Sequence, residues 1–218
     1  MTQTQSRRRA HLVRELNLNV RGLSVSATLA INERAKAMLK DGKQVYDFGL
    51  GQSPFPVPEA VIKRLQEHAH EKAYLPVRGL RELREAVADY HHVRHGIESC
   101  AEDVLIGPGS KELMFILQLV YYGDLVIPTP SWVSYAPQAR IIGRPITWVP
   151  TRWEDGLKLL ASDLDQVCQS DPSRPRVVVL NYPSNPSGST YTANELKALA
   201  RVARKYSVVL LSDEIYGE

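Results

Sequence analysis

The chain is poor in cysteine, in long apolar runs and in charge of one sign. Its 218 residues include two cysteines, Cys100 and Cys168, which are too few for a disulfide framework and lack the spacing of metal ligands. The longest apolar stretch, residues 113–120, is far shorter than the roughly 18 residues of a membrane span. The 27 basic and 24 acidic side chains leave a net charge of +3, which disfavours a dedicated nucleic-acid-binding protein. We therefore expect a globular protein of the reducing cytoplasm, without a nucleic-acid or membrane partner.

The first fourteen residues contain four arginines and no acid, including the basic cluster Arg7-Arg8-Arg9. This composition is that of a transit peptide or of a loosely ordered arm. We favour the arm, because the segment lacks a clear amphipathic pattern.

Short, largely unalternated β-branched runs follow one another along most of the chain. Such runs are typical of strands covered on both faces, and helix-length segments separate them. The pattern predicts strands at 104–106, 125–127, 146–149, 177–180 and 208–211, and helices at 111–120, 131–142, 162–168 and 193–206. We therefore predict an α/β fold with a mostly parallel sheet flanked by helices. Before the first strand of this sheet, we expect helices at 26–39, 58–68 and 80–96 and a short strand at 45–51.

Ligands of open α/β sheets bind where the strands end at their carboxyl side, so the loops after the strands are the candidate sites. The loop at 107–112 brings two glycines, Ser110 and Lys111 to a helix start, which suits a phosphate. Its spacing is that of neither a P-loop nor a dinucleotide fingerprint. A plain strand–helix turn with Ser110 as N-cap is the alternative.

Three later loops carry further candidates. Trp132 opens a predicted helix, where it can stack on a planar ligand or pack in a core or interface. Asn185 lies in a turn with two X-Pro bonds, either of which can be cis, and the rigid turn would aim its amide at one point. Asp213 follows a buried strand, where a carboxylate needs a cationic partner. As an alternative, Ser212 or Asp213 is a helix N-cap.

These loops, in this order, resemble the class I/II aminotransferases, which are fold-type I pyridoxal-phosphate enzymes. Asn185-Pro-Ser-Gly is followed 28 residues later by Asp213-Glu-Ile-Tyr216, a combination that is highly specific for this family. The segment 26–30, Leu50-Gly51, Tyr74 and the segment 78–84 also match, so the resemblance extends from about residue 26 to residue 218. It implies an N-terminal arm and small-domain segment at 1–45 and a pyridoxal-phosphate-binding large domain at 46–218, incomplete at its C-terminal side.

The resemblance implies a role for each ring-binding residue. Asp213 matches the carboxylate that pairs with the ring nitrogen of pyridoxal 5'-phosphate. Asn185 and Tyr216 match the residues that hydrogen-bond the phenolic oxygen of the ring, and Trp132 matches the aromatic residue that stacks on its face.

Other matching positions imply contacts with the phosphate and the substrate. Ser110 and Lys111 match the phosphate cradle, and Tyr74 matches a tyrosine that reaches the phosphate from a neighbouring subunit, which implies a homodimer. Gly51, together with Asn185, matches positions that contact the substrate carboxylate. Residues 52–55 depart from the family pattern, so the amino donor and acceptor stay open.

The family's Schiff-base lysine matches no residue of this chain and is expected beyond Glu218. We therefore expect the amino-terminal part of an aminotransferase that moves an amino group between an amino acid and a 2-oxo acid, and we expect these 218 residues to be inactive alone. The alternative is a truncated, non-catalytic cofactor-binding or subunit-pairing module of the same fold. Related folds also carry out decarboxylation or elimination with the same cofactor, so another reaction is a third alternative.

Overall fold

The computed structural model describes residues 16–23, 27–46, 51, 53 and 55–217. The basic cluster at 7–9, the predicted helix start at Ser26, and residues 47–50, 52 and 54 lie outside the described residues. Contacts between Cα atoms divide the chain into two units, one formed by 24–108 and the other by 1–23 together with 109–218. The domain boundary near residue 45 stays a prediction.

Among its described residues, the smaller unit contains three helices, α1 (Ala27–Lys40), α2 (Glu59–His68) and α3 (Arg81–His95), and a 3-10 turn at Ala101–Asp103. Gly96 ends α3 in the left-handed conformation, with φ of 66°. The guanidinium of Arg84, which is buried in α3, donates to the carbonyl oxygen of Ala101 at 2.6 Å and to that of Gly79 at 3.3 Å. These bonds attach the 3-10 turn and the loop before α3 to one helix.

Two strands predicted in this unit are not strands in the described residues. Val104 has an extended backbone. However, the amide of Ile106 donates to the carbonyl oxygen of Arg78, which lies in a loop and not in a neighbouring strand. The prediction of a strand at 104–106 was wrong because an extended segment becomes a strand only beside another strand. Val45, Tyr46 and Gly51 likewise lie outside any strand, and the middle of that predicted strand is not described.

The larger unit is built on four parallel strands in the order β2-β1-β3-β4. The strands are β1 (Asp124–Thr129), β2 (Ile146–Pro150), β3 (Arg176–Asn181) and β4 (Val209–Asp213). Four helices accompany them, α4 (Ser110–Val120), α5 (Tyr135–Ile141), α6 (Ala161–Gln169) and α7 (Ala193–Lys205). The predicted α/β fold with a parallel sheet is confirmed.

Both faces of the sheet are buried, which explains why the strand runs do not alternate with polar residues. On one face, Val126 and Val178 pack against Leu164 of α6 and Leu199 of α7. On the other face, Leu125 and Ile127 belong to a second cluster, completed by Met114, Tyr135, Ala139, Val177 and Val179 from α4, α5 and β3. The sheet is therefore the middle layer of three.

The helix after β1 begins at Tyr135, four residues later than the sequence predicted. Pro137 explains the difference, because proline fits the first turn of a helix but clashes in its interior. A helix starting at Ser131 would place Pro137 beyond its first turn, whereas the observed helix places it third.

The predicted capping box of α7 is confirmed. The Thr192 hydroxyl accepts a bond from the amide of Glu195 at 3.3 Å, and the Glu195 carboxylate accepts one from the amide of Thr192 at 2.6 Å. In the part of the chain that the structure describes, no helix has the length and apolar character needed to cross a membrane.

Candidate active site

The sheet has a topological switch point between β1 and β3. After β1 the chain continues to β2 on one side of that strand, whereas β3 and β4 lie on the other side. Loops that leave neighbouring strands in opposite directions form a crevice at the carboxyl ends, where ligands of such sheets bind. A cleft of about 210 Å³ lies there, lined by Ser110, Lys111, Trp132, Tyr135, Asn181, Asn185, Asp213, Ile215 and Tyr216.

The cleft brings together most of the side chains that the sequence singled out: Ser110, Lys111, Trp132, Asn185, Asp213 and Tyr216. Gly51 and Tyr74 belong to the smaller unit, where the Tyr74 side chain is fully exposed. The roles of all eight residues stay predictions.

Asp213 is the buried acid of the cleft and the last residue of β4. Its Oδ2 accepts a hydrogen bond of 2.6 Å from the hydroxyl of Tyr135, which is itself buried. Burial and the adjacent carboxylate raise the pKa of Tyr135 well above its ordinary value, so its hydroxyl stays a neutral donor. Among the described residues, no cationic side chain forms an ion pair with Asp213.

The loop after β3 places Asn185 beside Tyr216. The amide nitrogen Nδ2 of Asn185 lies 3.2 Å from the Tyr216 hydroxyl and donates to it. The Tyr182–Pro183 and Asn185–Pro186 peptide bonds, and the Thr129–Pro130 bond after β1, are cis. Asn185 and Tyr216 therefore present an amide and a hydroxyl at one place in the cleft.

The N-terminus of α4 forms another wall. Its N-cap is Gly109, with φ of 99°, and no side chain caps it. Ser110 is thus the first residue of the helix, and the alternative in which Ser110 is the N-cap was wrong. Because the first-turn amides of a helix lack partners within the helix, the amides of Ser110 and Lys111 are available to an anion.

An aromatic wall stands next to this helix terminus. The ring of Trp132 meets that of Tyr135 edge to face, with centroids 5.3 Å apart. The ammonium of Lys111 lies 5.4 Å from the Trp132 centroid, so the tryptophan carries a cation against its π-system.

Sequence reasoning missed two residues that organise the cleft, Tyr135 and Asn181. Tyr135 is three residues after Trp132, but its partner Asp213 is 78 residues away, and no local pattern indicates that pairing. Asn181 was visible as a polar residue ending an apolar run. That position at the carboxyl edge of the sheet is the signal that could have identified it.

A larger cavity of about 400 Å³ lies at the opposite end of the sheet, beside the N-terminus of β1. Its cationic groups already have partners. The Arg144 guanidinium donates to the carbonyl oxygens of Gln118, Tyr121 and Gly123, and Arg174 forms two bonds of 2.5 and 2.9 Å with the Asp124 carboxylate. The cleft at the carboxyl ends is therefore the better candidate for a functional site.

Comparison with known proteins gives the same family as the loops. Residues 43–218 match the family model of aminotransferase class I and II. The chain is 36% identical over 209 residues to an aspartate aminotransferase of Geobacillus stearothermophilus, a match that covers 93% of the chain and 52% of that relative. It is 31% identical to an asparagine–oxo-acid transaminase of Streptococcus mutans, with coverage of 93% and 52%.

The fold comparison agrees with the sequence comparison. The crystal structure of the aspartate aminotransferase from Rhizobium meliloti superimposes with a TM-score of 0.83 at 30% identity, covering 92% of this chain and 51% of that one. The aspartate aminotransferase from Thermus thermophilus with maleate also gives 0.83, at 29% identity and with coverage of 91% and 53%.

The chain belongs to the aminotransferase class I and II family, because the family model matches well over half of its residues. It spans about half the length of the curated relatives it matches.

Proposed function

We propose that the chain is the amino-terminal part of a pyridoxal-phosphate-dependent aminotransferase, which transfers an amino group between an amino acid and a 2-oxo acid. The observation that carries the proposal is the buried carboxylate of Asp213, which lies in a cleft shared with the Asn185–Tyr216 pair and a helix N-terminus. Each of these features suits a different part of one planar, phosphorylated ligand.

The residues of the cleft fit the cofactor by their chemistry. Among the described residues, the side chain that donates to the Asp213 carboxylate is the neutral Tyr135, so a protonated ring nitrogen would add the positive charge that a buried carboxylate needs. Asn185 and Tyr216 offer polar hydrogens to the phenolic oxygen. The first-turn amides of α4 suit the phosphate, because they combine free donors with the positive end of the helix dipole.

Bound pyridoxal phosphate supplies an electron-withdrawing ring that stabilises negative charge at the α-carbon of a substrate. Asp213 would hold a proton on the ring nitrogen, because a nearby anion favours the charged form of a base. Tyr135 would hold Asp213 in place without neutralising it, since the tyrosine stays protonated at physiological pH. Trp132 would limit the ring to one plane by contact with its face.

The lysines of the chain all lie among its described residues, and Lys111 is the one that lines the cleft. Its ammonium faces the Trp132 ring. We assign Lys111 to the cradle, and we propose that the lysine which binds the cofactor covalently belongs to the part of the protein beyond Glu218. The 218 residues alone would then show no turnover.

The remaining parts of the proposal concern assembly and substrate. We propose a cytoplasmic homodimer in which Tyr74 reaches the phosphate of the neighbouring subunit and Gly51 lies near the substrate carboxylate. Several relatives are named aspartate aminotransferases, so aspartate is the first amino donor to assay.

The test uses the protein extended through its reading frame past Glu218. Borohydride reduction in the presence of pyridoxal phosphate should attach the cofactor to a lysine beyond Glu218, and aspartate should support transamination. Attachment at Lys111 would contradict the assignment. A stop codon directly after Glu218, with cofactor binding but no turnover, would instead indicate the non-catalytic module.

A further inference from the structure

We propose that Asn181 is a positioning residue that holds Asn185 and Asp213 in fixed relation to each other. Asn181 is the last residue of β3, and in the parallel register it lies opposite Asp213, the last residue of β4. The effect on the cofactor rests on the proposed function, whereas the effect on the loop does not.

The side chain of Asn181 makes one bond to each of the two loops. Its Oδ1 accepts a hydrogen bond of 2.7 Å from the amide of Asn185, and its Nδ2 donates one of 2.9 Å to the carbonyl oxygen of Asp213. Through these two hydrogen bonds, the short side chain of Asn181 joins Asn185, proposed to contact the phenolic oxygen, to Asp213, proposed to contact the ring nitrogen.

The carbonyl oxygen of Asp213 receives two donors. The amide of Tyr182 donates to it at 3.3 Å, in continuation of the strand pairing, and the amide group of Asn181 occupies a second acceptor direction. A second bond restricts the rotation of the Asp213 peptide plane, so the backbone that carries the carboxylate is held more firmly than strand pairing alone would hold it.

Asparagine suits this position because its short side chain carries both a donor and an acceptor. The partners themselves define the orientation of the amide: the Asn185 amide needs an oxygen, and the Asp213 carbonyl needs an N–H. Aspartate would keep the bond to Asn185, lose the bond to Asp213 and add a negative charge. Alanine would lose both bonds. Comparing the two substitutions therefore separates the effect of the bond to Asn185 from the effect of the bond to Asp213.

The Asn185 end of the arrangement depends on this bond. Pro186 has no amide, so the chain cannot add a donor directly after Asn185. The neighbouring turn is closed by bonds between Ser184 and residues 188 and 189. The bond to Asn181 is thus what ties the Asn185 backbone itself to the sheet.

The first experiment measures hydrogen exchange in the ligand-free chain, so it does not depend on the proposed function. The Asn185 amide should be protected in the unsubstituted chain and in Asn181→Asp, and should exchange at least about tenfold faster in Asn181→Ala. Asn194→Ala, which removes an exposed asparagine of α7, is the matched control and should leave the Asn185 amide unchanged. Unprotected Asn185 in the unsubstituted chain, or equal protection in Asn181→Ala, would overturn the proposal.

The second experiment measures binding of pyridoxamine 5'-phosphate, which needs no covalent lysine, by ring fluorescence over a pH range. Asn181→Ala should weaken binding about tenfold and shift the pH midpoint of the ring signal, because the ring nitrogen loses its fixed carboxylate. Asn185→Ala should then cost clearly less in the Asn181→Ala background than alone, since coupled residues are not additive. Additive losses with an unshifted midpoint would overturn the cofactor half of the inference.

A failure of the proposed function can be distinguished from a failure of the positioning role of Asn181. An unsubstituted chain that binds no pyridoxamine 5'-phosphate would contradict the proposed function, and the exchange of the Asn185 amide would still decide the positioning of the loop. Should Asn181→Ala fail to fold, Asn181→Asp carries the test: it should retain the protected Asn185 amide and still shift the ring midpoint, and loss of that protection would count against the proposal.

Discussion

The hydroxyl of Tyr135 lies 2.6 Å from Oδ2 of Asp213, and both side chains are buried. Tyr135 is the first residue of α5, and Asp213 is the last residue of β4. The bond therefore connects a helix on one face of the sheet to the carboxyl end of a strand. It gives a buried carboxylate a neutral donor at the edge of the cleft.

Replacing Tyr135 with phenylalanine should lower the free energy of unfolding by about 1–3 kcal/mol, because a buried carboxylate loses its donor. Urea unfolding measures the change. Tyr122→Phe, at a largely exposed tyrosine, is the control and should change stability by less than about 0.5 kcal/mol. Equal effects of the two substitutions would show that the Tyr135–Asp213 bond contributes nothing to stability.

Replacing Asp213 with asparagine should weaken the binding of pyridoxamine 5'-phosphate roughly 10- to 100-fold, since a charged hydrogen bond to the ring is worth about 1.5–3 kcal/mol. The free energy of unfolding should stay the same or rise, because the buried charge is removed. Fluorescence titration and urea unfolding measure the two effects. Asp89→Asn, on the surface of α3, should change neither, and unchanged affinity in Asp213→Asn would exclude Asp213 as the partner of the ring.

The stability of the chain should fall in acid through Glu195. A hydrogen bond from Lys158, with the amide of Thr192, lowers the pKa of Glu195 to about 2 from an ordinary 4.5. A carboxyl with a lowered pKa contributes stability that is fully present above pH 4.5 and is lost as the pH falls towards 2.

Urea midpoints at pH 7 and pH 3 test this contribution. Glu195→Gln should destabilise the chain more at pH 7 than at pH 3, because part of the contribution is already gone at the lower pH. Glu154→Gln, at an exposed glutamate before α6, is the control for the substitution itself. A Glu195→Gln effect that is independent of pH would contradict the ionic origin of the contribution.

Replacing Gly109 with alanine should cost about 1–2 kcal/mol of stability, because its φ of 99° is unfavourable for a residue with a Cβ. Apart from Gly109 itself and its chain neighbours, no atom of the described residues lies within 4 Å of the position that the Cβ would take, so the effect is conformational rather than steric. Because Gly109 is the N-cap of α4, the substitution should also displace the start of that helix and so weaken the binding of pyridoxamine 5'-phosphate.

Gly42→Ala is the matched control for this substitution. Gly42 has a φ of 74° and the same open surroundings, but it follows α1 in the smaller unit. It should cost similar stability and leave pyridoxamine 5'-phosphate binding unchanged. Equal losses of affinity in both variants would show that the α4 terminus is not the phosphate site.

Structural features that depend on residues close together in the sequence were predictable. The buried strands follow from apolar runs, and the start of α7 follows from the Thr192–Glu195 capping box, whose bonds join residues three positions apart. Pro137 was an equally local signal that was overlooked, and it explains the late start of α5.

Features with a partner far along the chain were not predictable. Residues 104–106 have the apolar character of a strand, yet strand formation depends on a neighbour that no local pattern specifies. Tyr135 carries no local mark of its role, because its partner Asp213 is 78 residues away. Asn181 ends an apolar run, which marks it as a polar residue at the carboxyl edge of the sheet, but its bond to the carbonyl oxygen of Asp213 depends on the pairing of β3 with β4.

The sequence by itself determined the α/β character of the chain, the order of its strands and helices, and the side chains that end the strands, because these depend on hydrophobic periodicity and on local backbone preferences. Only the tertiary structure decided that Asp213 is buried against Tyr135 and joined through Asn181 to Asn185. The register of β3 against β4 places Asn181 beside Asp213, and the packing of α5 on the sheet places Tyr135 against Asp213, so both contacts join residues that the chain itself keeps far apart.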